Sequence, residues 1–164
     1  YFCNRRNYLK SSKAAKLFCD YLGLVSMIVM GKKNTQNAAE CQELHAWNII
    51  WIAGNPYHVD ITFDLTVMTY DVSRYDYFNL SDREIRRDHL VLSEYMPKCV
   101  NSYGFYQKEN LFLANPKDLM NIIGKNVNKD VVFQLPYDVN FYNAREKVMQ
   151  IIRNSIQASK KHKM

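Results

Sequence analysis

One stretch of twenty residues constrains this chain more than any other: HAWNIIWIAGNPYHVDITFD, residues 45–64. Two runs rich in β-branched and aromatic residues flank Ala-Gly-Asn-Pro. The stretch therefore reads as a β-hairpin, with strands near 45–52 and 57–63. Gly54-Asn55 is the expected turn, and Pro56 at the head of the second strand sacrifices few ladder bonds. The hairpin carries His45, His58, Asp60 and Asp64. It is either a ribbon with polar residues facing water or a frame for acid–base chemistry.

The flanking segments supply helices and more strands. LKSSKAAKLFCDY (9–21) has apolar or small residues at Ala14, Ala15, Leu17, Phe18 and Tyr21, and Gly23 marks the helix stop. VSMIVM (25–30) reads as a strand ending in the polar loop GKKNTQNAAE. Residues 70–89 are aromatic and charged, a loop closed by a short helix where Ser81 and Glu84 fit a capping box. YGFYQKENLFLA (103–114) reads as a hairpin turning near Lys108–Asn110. Asn115–Ile123 reads as a helix with Pro116 in its first turn and Gly124 at its end. VVFQLPY (131–137) is a further strand. Residues 143–157 form an amphipathic helix with the stripe Ala144, Val148, Ile151, Ile152 and Ile156. A helix, mostly antiparallel strands, then helix–strand–helix gives an α+β fold, read as one domain over residues 1–164.

Several function classes lack support. The longest apolar run, LGLVSMIVM (22–30), falls short of the roughly 18 residues of a membrane span and reads as a buried strand. The net charge of +6 is spread along the chain, densest only in the terminal KKHKM, so no nucleic-acid partner is expected. Cys3, Cys19, Cys41 and Cys99 form no CxxC pair and read as small buried hydrophobes or free thiols, with one or two disulfides still open. There is no G-x-S-x-G, P-loop or G-x-G-x-x-G, and no cofactor is expected. The chain opens on Tyr1 without a signal-peptide pattern, and reads as a processed or excised piece of a longer protein. Its compartment stays open, a secreted or cell-surface location included.

Thiol-dependent acyl transfer needs a thiolate, a histidine to take its proton, and a third group to fix the imidazole tautomer. A helix followed by His45 on one strand and Asp60 on the next has the right order. The local sequence is more specific. His45-Ala46-Trp47-Asn48, then Tyr57-His58-Val59-Asp60-Ile61-Thr62-Phe63-Asp64, resembles the transglutaminase-like core family, whose pattern is H-A-W-N, a turn, and H-V-D-x-T-W-D. The resemblance runs on through Tyr75-Asp76-Tyr77-Phe78-Asn79-Leu80-Ser81-Asp82, Asp88-His89 and Pro97-Lys98-Cys99, in the manner of a bacterial branch, and covers nearly the whole chain. It implies a papain-like fold with the N-terminal helix packed on a mainly antiparallel sheet and helices at the C-terminus. It makes His45 the catalytic histidine and Asp60 the aspartate that orients it, with Trp47 beside them in the cleft.

The same resemblance leaves the nucleophile position vacant. The family's helix begins like G-V-C-E-G-I-S-K-A-V-K-L-L-C-D, and this chain matches it closely from Ser12 to Asp20. That register sets Tyr8 in the cysteine slot, with Arg6 and Lys10 in place of the glycines. A phenol with a pKa of about 10 is barely ionised at neutral pH and is a poor substitute for a thiolate. Cys3, five residues upstream, is the nearest replacement and would need the chain to fold back over the helix start. Cys19, on the packing face of the helix, and Cys41, in the loop before His45, read as structural.

The turn assignment adds a tension. With Gly54-Asn55 as the turn, Ile49 faces Asp60, and Asp64 rather than Asp60 lies opposite His45. Asp60 would then be about 13 Å along the strand. Asp60 is kept as the partner on the family match, with Asp64 as the alternative. Cys41, His45, His58 and Asp60 do not converge into a zinc set on this register, and no metal site is expected. Tyr70, Tyr75, Tyr77 and Phe78 form either a ligand platform or a layer covering the sheet. Two functions follow. One is a non-catalytic module that binds a peptide, a cell-wall-like ligand or a protein. The other is an active thiol protease, amidase or acyl transferase using Cys3 with His45 and Asp60.

Overall fold

The computed structural model describes residues 7–33, 43–68, 72–93, 95–125, 130–136 and 145–154. Cys3, Cys41, Tyr70, Ala144 and Ile156 lie outside the described residues. The fold is α+β. The chain divides into two compact units, Tyr1–Phe105 and Tyr106–Met164.

The first unit opens with α1 (Asn7–Tyr21), followed by β1 (Ser26–Lys33), β2 (Leu44–Ile52) and β3 (Asn55–Val59). Next come α2 (Ile61–Val67), β4 (Phe78–Leu80), α3 (Asp82–Ile85) and β5 (His89–Val91). The strands form one antiparallel sheet in the order β4-β3-β2-β1-β5. Every other residue of β2 takes one face. Trp47 and Ile49 join Val29, Leu80, Ile85 and Cys99 in a buried core. Ala46 and Asn48 face α1, where the Ser12 hydroxyl donates to the Ala46 carbonyl at 2.8 Å and the Asn48 amide donates to the Ser12 carbonyl at 3.0 Å.

The buried face of α1 differs from the expected stripe. Ser12, Ala15 and Cys19 are buried, whereas Leu17, Phe18 and Tyr21 are at least two-thirds exposed. Small residues at these spacings let the helix lie close on the sheet, and that closeness overrides the greater hydrophobicity of the outer face.

The hairpin turn also differs from the sequence reading. Ile52 pairs with Asn55, so Ala53 and Gly54 form the turn, both with positive φ (49° and 79°). The reason lies in Pro56. A two-residue hairpin closes on a pair that exchanges both backbone hydrogen bonds. The expected turn would close on Ala53 and Pro56, and proline has no N–H to give. In the observed register Pro56 faces Trp51, whose own N–H goes to Val25 on the opposite side at 2.9 Å, so no bond is forfeited. The second strand is also shorter than expected. It ends at Val59, and residues 61–67 are helical because Asp60 caps them, its Oδ1 accepting from Phe63 N–H at 3.1 Å.

The aromatic stretch yields two short strands beside the expected capped turn, α3, in which Ser81 N–H donates to Glu84 Oε2 at 2.8 Å. The expected hairpin over 103–114 is replaced by α4 (Phe105–Lys108), which straddles the division between the units, and a turn at Asn110 with φ of 57°. In the second unit, α5 (Pro116–Lys125) runs one residue beyond Gly124. Over residues 131–136 the expected strand reduces to a parallel bridge between Phe112 and Gln134, and Tyr137 lies outside the described residues. A helix, α6 (145–154), contributes Val148, Ile151 and Ile152 to a core around Leu113, Leu119 and Ile122. No helix among the described residues is long and apolar enough to cross a membrane.

Candidate functional site

The first unit buries three histidines, His45, His58 and His89, each at most 1% exposed. The picture of His45 and His58 as water-facing hairpin residues is therefore incorrect. β2 carries His45, and the turn from β3 into α2 brings Asp60 back toward it. The imidazole Nε2 of His45 and Oδ2 of Asp60 are 2.5 Å apart. Asp60 thus serves twice, with Oδ1 on the helix cap and Oδ2 on the histidine. Because the strand ends at Val59, the separation expected of a continuous strand does not arise.

Asp64 is placed elsewhere. It lies within α2, and its Oδ1 accepts the Tyr77 backbone N–H at 2.9 Å. Burial pushes its pKa up to about 7 from the ordinary 3.8. Trp47 stands beside His45, the ring centroids 6.0 Å apart and nearly parallel. Its indole N–H donates to His58 Nδ1 at 2.9 Å, and His58 Nε2 meets Asp82 Oδ1 at 2.9 Å. Burial holds the His58 pKa below its ordinary value, against the opposing pull of Asp82.

Sequence reading gave no role to His89, although Asp88-His89 belonged to the resemblance. His89 heads β5, with Nε2 2.9 Å from Asp60 Oδ2 and Nδ1 2.6 Å from Asp88 Oδ1. Tyr77 donates its hydroxyl to the other Asp88 oxygen at 2.5 Å. Burial disfavours charge on all of these groups. The hydrogen bonds from His45 and His89 nevertheless hold Asp60 below the ordinary carboxylate range, and those from His89 and Tyr77 do the same for Asp88. In turn Asp60 and Asp88 raise the His89 pKa despite its burial. Burial, then the hydrogen bond to Asp88, raises the Tyr77 hydroxyl. An acid immediately before a histidine was the only local signal; strand pairing of β5 with β1 is what carries it to Asp60.

Of the nucleophile candidates, Tyr8 lies against His45 with ring centroids 5.6 Å apart. His45 Nδ1 is buried and has no hydrogen-bond partner among the described residues. Cys19 and Cys99 are buried free thiols, and burial followed by the charge of Asp82 pushes the Cys99 thiol up to about 12, far from a nucleophile's range. Cys3 lies outside the described residues. Of the aromatic group, Tyr77 packs edge-on against Phe63 at 4.9 Å and Tyr75 lies on Phe105 at 4.3 Å.

Among the described residues, two donor sets have the residue types of a cation site: His45 with Asp60 and His89, and His58 with Asp82 and Cys99. Donors on one tetrahedral zinc ion lie about 3.4 Å apart. Contacts of 2.5 and 2.9 Å on Asp60 Oδ2 are those of hydrogen bonds, with protons where an ion would sit. In the second set the Trp47 N–H occupies the Nδ1 lone pair of His58, so the ring proton sits on Nε2, the atom a metal would need.

No protein-family model matches the chain, and no curated protein matches it in sequence.

Proposed function

We propose that this chain is a transglutaminase-like domain of papain-like fold that keeps the histidine–aspartate pair, carries Tyr8 in place of the nucleophile, and binds a peptide, protein or cell-wall-like ligand without cleaving it. The observation that carries this reading is the company of His45. Its Nε2 is engaged by Asp60, its Nδ1 has no partner among the described residues, and the ring beside it is a phenol. In its neutral form a histidine held in this way has one lone pair to offer, and acyl transfer would need a thiol there to use it. The family motifs in order support the assignment of fold and lineage; the substitution at Tyr8 supports loss of the reaction.

The test is alkylation with iodoacetamide across a pH series, on the wild-type chain and on Tyr8→Cys. The wild-type thiols should react no faster than an ordinary cysteine, and Tyr8→Cys should add one thiol with a depressed pKa. A fast, low-pKa thiol in the wild type overturns the non-catalytic reading in favour of an active enzyme using Cys3. A Tyr8→Cys thiol no faster than free cysteine overturns the assignment of Tyr8 to the nucleophile slot.

A further inference from the structure

His89 stands behind the His45–Asp60 pair, and its hydrogen bonds fix its protonation by simple bookkeeping of donors. Each ring nitrogen faces a carboxylate oxygen, at 2.9 Å on Asp60 and 2.6 Å on Asp88. An ionised carboxylate only accepts. Both nitrogens therefore carry hydrogen, and the ring is an imidazolium between two anions. Asp88 cannot swing away, because Tyr77 donates to its second oxygen at 2.5 Å. Asp60 cannot rotate without losing the Phe63 N–H on Oδ1.

The consequence reaches His45. Oδ2 of Asp60 is an acceptor shared by two rings, so His45 Nε2 must also carry hydrogen. In the neutral ring Nδ1 is then the acceptor, buried and without a hydrogen-bond partner among the described residues. We propose that His89 is a positioning residue of this site, whose doubly protonated ring ties Asp60 to Asp88 and thereby holds His45 in the tautomer that leaves Nδ1 as an acceptor. This rests on the reading of His45 and Asp60 as the functional pair.

The groups that face His89 come from every neighbouring element. Lys33 of β1 is its ladder partner, and the His45 ring of β2 lies 5.2 Å away. Asp60 precedes α2, Tyr77 precedes β4 at 5.8 Å, Asp88 adjoins it, and His58 of β3 adds a weak repulsion. The two carboxylates in direct contact dominate, in keeping with the raised His89 pKa.

Proton–nitrogen correlation NMR on the full chain with labelled histidines tests the proposal, with single His→Gln variants for assignment. At about pH 8, well above the ordinary histidine range, His89 should give the imidazolium pattern, and His45 should show its ring proton at Nε2. His89→Leu should abolish the single His45 tautomer. His89→Gln, whose amide can still donate to Asp60, should preserve it, a rescue that a purely space-filling role does not predict. A neutral His89 at that pH, or a His45 tautomer unchanged in His89→Leu, overturns the proposal. If His89→Leu does not fold, Asp88→Asn decides: the proton affinity of His89 should fall at least about tenfold, and an unchanged titration overturns the proposal. Thiol reactivity plays no part in these readouts. A sluggish Tyr8→Cys thiol with the expected tautomers would sink the functional reading alone.

Discussion

His45 and Asp60 meet at 2.5 Å although fifteen residues separate them, and both are at most 1% exposed. In a site so dry, removing one charge or one donor leaves its partner without water to replace it, so the contact governs stability as well as chemistry.

Asp60→Asn tests that coupling. The amide would turn a donor or a weaker acceptor toward two ring N–H groups and remove the anion that balances His89. Breaking a buried ionic pair on one side typically costs about 3–5 kcal/mol. Urea unfolding should show a loss of that size. A double-mutant cycle with His45→Gln should give a coupling of about 1–3 kcal/mol.

The charge on His89 has a definite pH signature. Its folded pKa is raised above the ordinary 6.5, so its contribution is full below about pH 6.5 and fades as pH rises through the folded value. The stability difference between the wild type and His89→Gln should therefore be flat in mild acid and shrink on the alkaline side. Chemical unfolding across a pH series reads it directly. A difference that grows with pH would contradict the assignment of charge.

Asp64 behaves in the opposite way to Asp60, and Asp64→Asn exploits this. Asparagine keeps an oxygen for the Tyr77 N–H but never ionises. The folded pKa of about 7 lies above the ordinary 3.8, so the wild type loses stability as pH rises from about 4 to 7. That span corresponds to about 4 kcal/mol as an upper limit, because local relaxation and water entry reduce the burden of a buried charge. The variant should gain about 1–2 kcal/mol over the wild type at pH 8 and nothing near pH 4, measured by urea midpoints.

Gly31→Ala addresses the sheet edge that delivers His89. A Cβ on Gly31 would collide with the Leu90 carbonyl and the Trp47 ring. One of these is backbone and the other a packed indole, and neither can yield cheaply. The substitution should destabilise by about 3 kcal/mol and weaken the β1–β5 pairing, seen as faster amide exchange at Leu90 and Val91.

Much of the fold was legible because local patterns and packing agree. The helix ending at Tyr21, the strands around Val29 and Trp47, the Ser81–Glu84 cap and the helix at Pro116 follow from periodicity, capping and proline rules. The errors arose where a local rule met a competing demand. Ile-Thr-Phe after Asp60 favours a strand by propensity, yet a capping aspartate starts a helix there. Gly54-Asn55 is good turn chemistry, but a proline next to it cannot supply the closing hydrogen bond. Leu17, Phe18 and Tyr21 are more hydrophobic than the small face that packs, and close approach decided against them.

By itself, the sequence determined the α+β class and singled out His45 and Asp60, because a hairpin and an ordered set of polar residues are written in local pattern. Tertiary structure decided which aspartate meets His45, since that depended on where β3 stops and α2 begins. It also brought in His89, from a strand whose partner lies some sixty residues earlier in the chain. Hydrogen-bond geometry in a buried site is a property of converging elements, and no single stretch of sequence contains it.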